Sequence, residues 1–167
     1  MVSGMTRSTI FISHANPEDN EFVRWLASKL TLAGYVVWCD LDRLKGGDLF
    51  WNEVESCLRN DAIRLVAVVS EASYSKDGVR NEWDLGITLE KQIPGFVVPV
   101  RIDAFDFSRL PITIHRKHVI DFHRGWHDGL ASCSTRLSKI VFHEKVMWTR
   151  QRPAIGFRTR PPTQSHG

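Results

Sequence analysis

The 167-residue sequence predicts an α/β protein: a flavodoxin-like, three-layer sandwich around a five-stranded, mostly parallel sheet. Three observations predict it. Short β-branched or apolar runs alternate along the chain with stretches of helical periodicity, the pattern left by repeated right-handed crossovers. The central runs, LVAVV (65–69) and FVVPV (96–100), are continuously apolar, as strands covered on both faces are. The composition, 43% hydrophobic and 25% charged, is that of a globular domain able to build a core without staples.

TIFIS (9–13) reads as the first strand. Asn16-Pro17-Glu18-Asp19 then marks a helix start, because Asn can cap, Pro suits the first helical position, and acids favour the positive helix end. Phe22, Trp25, Leu26 and Leu30 follow at helical spacing, and Gly34 ends the helix. YVVWCD (35–40) is the second strand; a loop with Gly46-Gly47 leads to a helix over about 48–60, with Phe50, Val54, Cys57 and Leu58 on one face. IRLVAVVS (63–70) is the third strand. A polar stretch, EASYSKDG (71–78), precedes a helix carrying Val79, Trp83, Gly86, Ile87 and Glu90 on neighbouring turns. GFVVPVRID (95–103) and HVIDF (118–122) are the fourth and fifth strands. The last helix, about 125–146, has Trp126, Leu130, Cys133, Leu137, Ile140 and Val141 as its apolar stripe.

The net charge of +3 is uneven: residues 1–144 sum to −2 and residues 145–167 to +5. The body therefore has no nucleic-acid footprint of its own. The expected division is an N-terminal extension (1–7), one domain (8–146), and a basic Pro/Arg-rich flexible tail or linker (147–167). Cys39, Cys57 and Cys133 are widely spaced with no CxxC, which argues against a disulfide framework or structural zinc and for a reducing cytoplasm. The N-terminus has no apolar stretch to serve as a leader, and no apolar run is long enough for a bilayer.

Ligands of open α/β sheets sit at the carboxyl ends of the strands, so Ser13-His14, Asp40 to Asp48, Ser70 to Gly78 and Asp103 onward are the positions to interrogate. Several chemistries are absent from them. No GxGxxG, GxxxxGK[ST] or GxSxG occurs, which removes Rossmann, P-loop and α/β-hydrolase readings. Ser13-His14 and Ser70 stand where a phospho-receiver would carry acids. His123 and His127 are spaced i, i+4, but HRGWH lacks the acid of a zinc-protease motif, so no metal is expected.

IFISHANPEDNEF, YVVWCDLDRLKGGD and LVAVVSEASYSKDGVRNEW, three motifs in order across about residues 8–145, resemble the TIR (Toll/interleukin-1 receptor) domain. More narrowly, they are similar to bacterial TIR domains that cleave NAD+. The resemblance implies a single catalytic carboxylate early in the helix after the third strand, which here is Glu82 in GVRNEW. Helix starts also attract acids for the dipole alone, so a solubilising glutamate is the alternative. One carboxylate suffices for the chemistry: nicotinamide in NAD+ is already a cationic leaving group, and departure builds oxocarbenium character on the ribose, as in glycoside hydrolysis. A carboxylate at the ribose stabilises that charge most in the transition state.

The resemblance further implies that Leu41 to Asp48 is the loop lying over substrate and contacting a neighbouring TIR domain, with Asp42, Arg43, Lys45, Gly46 and Gly47 as substrate-side candidates. The glycine pair is equally a tight turn before the helix. Ser13 and His14 line the same crevice, and Tyr74 or Trp83 would supply an aromatic wall, although Trp83 also shares the helical stripe and is equally a core residue. NAD+ is then substrate and no cofactor is needed. FISHANPEDNEFVRWL, GYVVWCDLD and IDF…W..GL are similar to the TIR module of short prokaryotic Argonaute defence systems. That implies a homo-oligomeric assembly triggered by an Argonaute with guide and target nucleic acid. The other readings are a non-enzymatic signalling or virulence module binding TIR domains, and a nucleoside-processing relative of the deoxyribosyltransferases.

Overall fold

The computed structural model describes residues 6–41 and 48–145, with the side chains of 48–49 and 139–145 outside that description. Five strands run β1 (Thr9–Ser13), β2 (Val36–Cys39), β3 (Ala62–Val69), β4 (Val97–Arg101) and β5 (Ile120–Asp121), in the sheet order β2-β1-β3-β4-β5. Every pairing is parallel, with Phe11 opposite Trp38 and Leu65, and Ala67 opposite Pro99. Among the described residues six α-helices cover the sheet: α1 (Asn20–Leu32), α2 (Asp48–Ser56), α3 (Glu71–Ser75), α4 (Asp77–Leu89), α5 (Ile112–His115) and α6 (Trp126–Lys145).

Side chains alternate across a strand, so the apolar strands feed two cores. Phe11, Leu65, Ala67, Val69 and Val97 point to one face, where Val54 and Leu58 pack with Val79 and Trp83 of α4. Ile10, Ile12, Val66, Val68, Val98 and Val100 point to the other, against Phe22, Leu26 and Leu30 of α1 and Cys133 and Leu137 of α6. This is the expected three-layer sandwich. Among the described residues no helix is long and apolar enough to cross a membrane.

Several expectations shift. The first helix begins at Asn20, not at Asn16-Pro17, and Asp19 makes no side-chain cap. The reason is tertiary: Asn16 Nδ2 donates to the Asp40 carbonyl, while Asp19 accepts from the Ala15 amide and the Ser70 hydroxyl. The helix after the loop ends at Ser56 and closes with one π-helical turn over Cys57–Asp61. The stretch 71–78 is not a plain connector: Ser70 and Ser73 form a reciprocal capping box that sets up α3. A 3-10 turn at Phe107–Arg109 and the short α5 fill the segment before β5. The expected stripe residues Ile140 and Val141 and the tail 147–167 lie outside the described side chains and residues, respectively.

Candidate active site

The chain leaves β1 toward β2 on one side, and the strands from β3 onward build the other side, so the carboxyl ends of β1 and β3 flank the topological switch point. There Phe11, Ile12, His14, Asn16, Trp38, Asp40, Phe50 and Glu82 line a recess of about 10 Å³, room for about one water. Glu82 comes from α4. It is the sixth residue of that helix, past the first turn where a helix dipole acts, and it is only 6% exposed. A solubilising glutamate would face solvent; this one faces the sheet edge. Val79, Trp83 and Gly86 bury the same side of α4, and that stripe turns Glu82 inward.

Ser13, the last residue of β1, donates its hydroxyl to Glu82 Oε2 at 2.5 Å. His14 is also buried, its Nε2 lying 3.2 Å from Asn20 Oδ1. The Asn20 amide nitrogen is engaged with Asn16 Oδ1 at 3.2 Å and the Leu41 carbonyl at 3.4 Å. Asn20 therefore turns its oxygen toward Nε2, while Nδ1 lies 3.4 Å from the Ile12 carbonyl. These bonds tie the end of β1 to the segment after β2.

A second buried carboxylate is Asp19, just before α1. Asp19 accepts from the Ala15 amide at 3.0 Å and from Ser70 Oγ at 2.9 Å, bridging the ends of β1 and β3. Burial pushes its pKa up, against the pull of those two hydrogen bonds. On the rim, Lys76 donates to the Asn16 carbonyl at 2.6 Å and to Glu18, and that bond to Lys76 holds the Glu18 carboxyl below its usual range.

Of the residues expected at the site, the structure brings Ser13, His14 and Glu82 together. It places Tyr74 and Trp83 elsewhere. Trp83 is 1% exposed and belongs to the core, because the stripe it shares with Val79 and Gly86 faces the sheet. Tyr74 packs on Phe105 with ring centroids 5.1 Å apart and donates to the Arg109 carbonyl. Both line a separate groove of about 200 Å³ with Asp77, Arg80, Pro111 and Ile114. Asp42, Arg43, Lys45, Gly46 and Gly47 lie outside the described residues. The aromatic side chains at the recess are instead Phe11, Trp38 and Phe50, with Phe11 and Trp38 stacked at 4.5 Å. The carboxyl-edge rule puts Asp40 among the positions to interrogate, whereas Trp38 and Phe50 carry no signal beyond their apolar patterning. Among the described residues no cluster of His, Cys, Asp or Glu could hold a metal ion.

A family model described as TIR domain matches residues 10–133, most of the chain and every strand of the sheet. The chain belongs to the TIR-domain family. Two curated proteins are similar to this TIR chain. An uncharacterized protein, y4cD, of Sinorhizobium fredii is 32% identical over 132 residues, covering 77% of this chain and 20% of that protein. The 2' cyclic ADP-D-ribose synthase AbTIR of Acinetobacter baumannii is 34% identical over 104 residues, covering 59% of this chain and 38% of that enzyme. The TIR chain thus spans about a fifth and about two fifths of those relatives' lengths. Among solved structures, the TIR domain of the Toll-related receptor TRR-2 from Hydra magnipapillata superposes with a TM-score of 0.55 at 16% identity, covering 82% of this chain and 94% of that one. The TIR domains of the activated Roq1 resistosome give 0.51 at 18% identity, covering 84% and 85%. Those two likenesses establish the fold.

Proposed function

We propose that this TIR domain is an NAD+ glycohydrolase with Glu82 as its catalytic carboxylate. The observation that carries the proposal is the burial of Glu82 at the switch-point recess, held by a hydrogen bond from Ser13. Burying a carboxylate is unfavourable unless it is hydrogen-bonded or serves a charge yet to arrive. The oxocarbenium-like ribose of NAD+ cleavage is such a charge. The C1'–nitrogen bond of the nicotinamide ribose breaks, its electron pair stays on the nicotinamide nitrogen, and the leaving group departs neutral. Attack by water, with loss of a proton, gives ADP-ribose; attack by a nucleophile of the same molecule gives a cyclic form. The similarity to a 2' cyclic ADP-D-ribose synthase supports this reading, since making a cyclic ADP-ribose from NAD+ breaks the same bond.

Activation by self-association belongs to the same proposal. The recess that Glu82 lines is narrow in the single chain, and on this reading it widens when substrate enters. A neighbouring TIR domain is the agent the family resemblance implies. The defence setting and a short Argonaute partner rest on the motifs FISHANPEDNEFVRWL, GYVVWCDLD and IDF…W..GL.

The test is nicotinamide release from NAD+ by purified protein, free and clustered on a scaffold, beside Glu82→Ala. The clustered wild type is expected to release nicotinamide. Glu82→Ala is expected to fold and to lose about 10²–10³-fold in kcat, the scale of removing one transition-state electrostatic partner. Wild-type turnover by Glu82→Ala would overturn the catalytic assignment. An inert clustered wild type would turn the reading toward a non-enzymatic module that binds TIR domains.

A further inference from the structure

We infer that Ser13 is a positioning residue for Glu82, acting on the carboxylate and not on the substrate. The inference rests on the reading of Glu82 as the catalytic group and deepens it. Ser13 is 1% exposed, at the carboxyl end of a strand paired on both sides, with Ile12 opposite Cys39 and Ser13 opposite Ala67. Ser13 does not line the recess, whereas Glu82 does, so the hydroxyl stands behind the carboxylate and not on the substrate side. What it reaches is Glu82 Oε2, to which it donates at 2.5 Å.

Glutamate needs this support. Its terminal torsion is broad and roughly two-fold, so packing of the stem leaves the carboxylate plane free to turn. A stabilising charge misplaced by about 1 Å can cost on the order of 10²-fold in rate. The donor itself is well anchored. Two residues beyond Ser13, the Ala15 amide is held by Asp19, which also takes the hydroxyl of Ser70 beyond β3. His14 is turned toward Asn20 and the Ile12 carbonyl. The end of β1 is thus fixed to β3 and to α1, and it presents one hydroxyl to α4. Fixing a catalytic group by a partner on a rigid central strand is how such groups hold their geometry.

The experiment compares clustered wild type, Ser13→Ala, Ser13→Thr, Glu82→Gln and the Ser13→Ala/Glu82→Gln double variant. It reads nicotinamide release against NAD+ concentration and pH, and melting temperature. A positioning role predicts that Ser13→Ala lowers kcat about 10–100-fold while KM stays within about twofold. The acid limb of the kcat profile moves to higher pH, because a carboxylate that loses a donated hydrogen bond holds its proton more firmly. Ser13→Thr restores most of the rate. In the Glu82→Gln background Ser13→Ala costs no further activity, and the melting losses of the two single variants sum to more than that of the double. A raised KM with unchanged kcat would make Ser13 a substrate contact and overturn the inference. Glu82-dependent release that is indifferent to Ser13→Ala would sink the positioning role and leave the proposed reaction standing. No release by the clustered wild type would overturn the reaction, and the positioning role with it.

Discussion

Asp19 is 4% exposed, and its carboxylate joins two strand ends through the Ala15 amide and the Ser70 hydroxyl. Burial raises its pKa most; the two hydrogen bonds oppose that, and the nearby Asp103 and Glu18 charges add to it. A carboxyl that is harder to ionise when folded takes a proton more readily in the native than in the unfolded chain. Stability from this group is therefore greatest below the unfolded value and falls as pH rises toward the raised native value. Asp121 has the opposite sign: the hydrogen bond from Arg101 lowers it, so its contribution is present above the unfolded value and is lost as pH falls through the native one. Asp19→Asn keeps an acceptor for Ala15 and removes the titration. Its stability relative to wild type is expected to improve from pH 4 to pH 7, by about 1.4 kcal/mol for each unit by which Asp19 is raised. Urea midpoints of both proteins across that range provide the check, and a difference constant with pH would deny Asp19 the role. From sequence, Asp19 reads as an acid at a helix start, because only the strand ends, brought together by folding, reveal what it bridges. Glu82 is more legible: a motif marked its position, and only its burial separates a functional from a solubilising carboxylate.

At the scale of elements, α4 carries Glu82, and Gly86 sets how closely that helix lies on the sheet. A Cβ at Gly86 would stand 2.3 Å from Leu65 Cδ2 and 3.0 Å from Val97 Cγ2. Leu65 and Val97 are fully buried, so a shift of either disturbs the packing around it. Alanine would gain about 1 kcal/mol in helix propensity and lose about 1–3 kcal/mol to overpacking. Gly86→Ala is expected to be net destabilising by about 1 kcal/mol, read as a lower urea midpoint at unchanged m-value. Because Glu82 lies one turn away on the same face, turnover should fall more than stability does; a variant as stable and as active as wild type would show that the contact is slack. The stripes of α1 and α4 were legible because their apolar residues recur at helical spacing against the sheet. The five residues of α3 were not. Glu71–Ser75 has no apolar stripe, and the element exists because Ser70 and Ser73 cap each other. The start of α1 was misplaced for a related reason, since side chains suited to capping are spent on tertiary bonds.

For the molecule as a whole, alternation of apolar strands and amphipathic helices dictates a parallel sheet, and a parallel sheet with the order β2-β1-β3-β4-β5 has its switch point between β1 and β3. The sheet order thus locates the edge where Ser13, His14 and Glu82 meet. It does not give the size of the recess, which depends on how Phe11, Trp38 and Phe50 pack around it. That size carries the last prediction. On the proposed reading, a site this narrow in the single chain gives low turnover unless another event opens it. If that event is contact with a second TIR domain, activity per molecule must follow the population of assembled protein, and the assembled fraction rises with concentration by mass action. Specific activity of the wild type is expected to climb with protein concentration, and to rise further on a scaffold that raises local concentration at constant total protein. Glu82→Gln should stay silent at every density, because assembly supplies access and not the carboxylate. The measurement is nicotinamide release per molecule across a dilution series, with sedimentation run on the same samples. Specific activity that stays flat while sedimentation shows dissociation to monomer would mean that the recess opens within a single chain, and the dependence on a neighbour would be withdrawn.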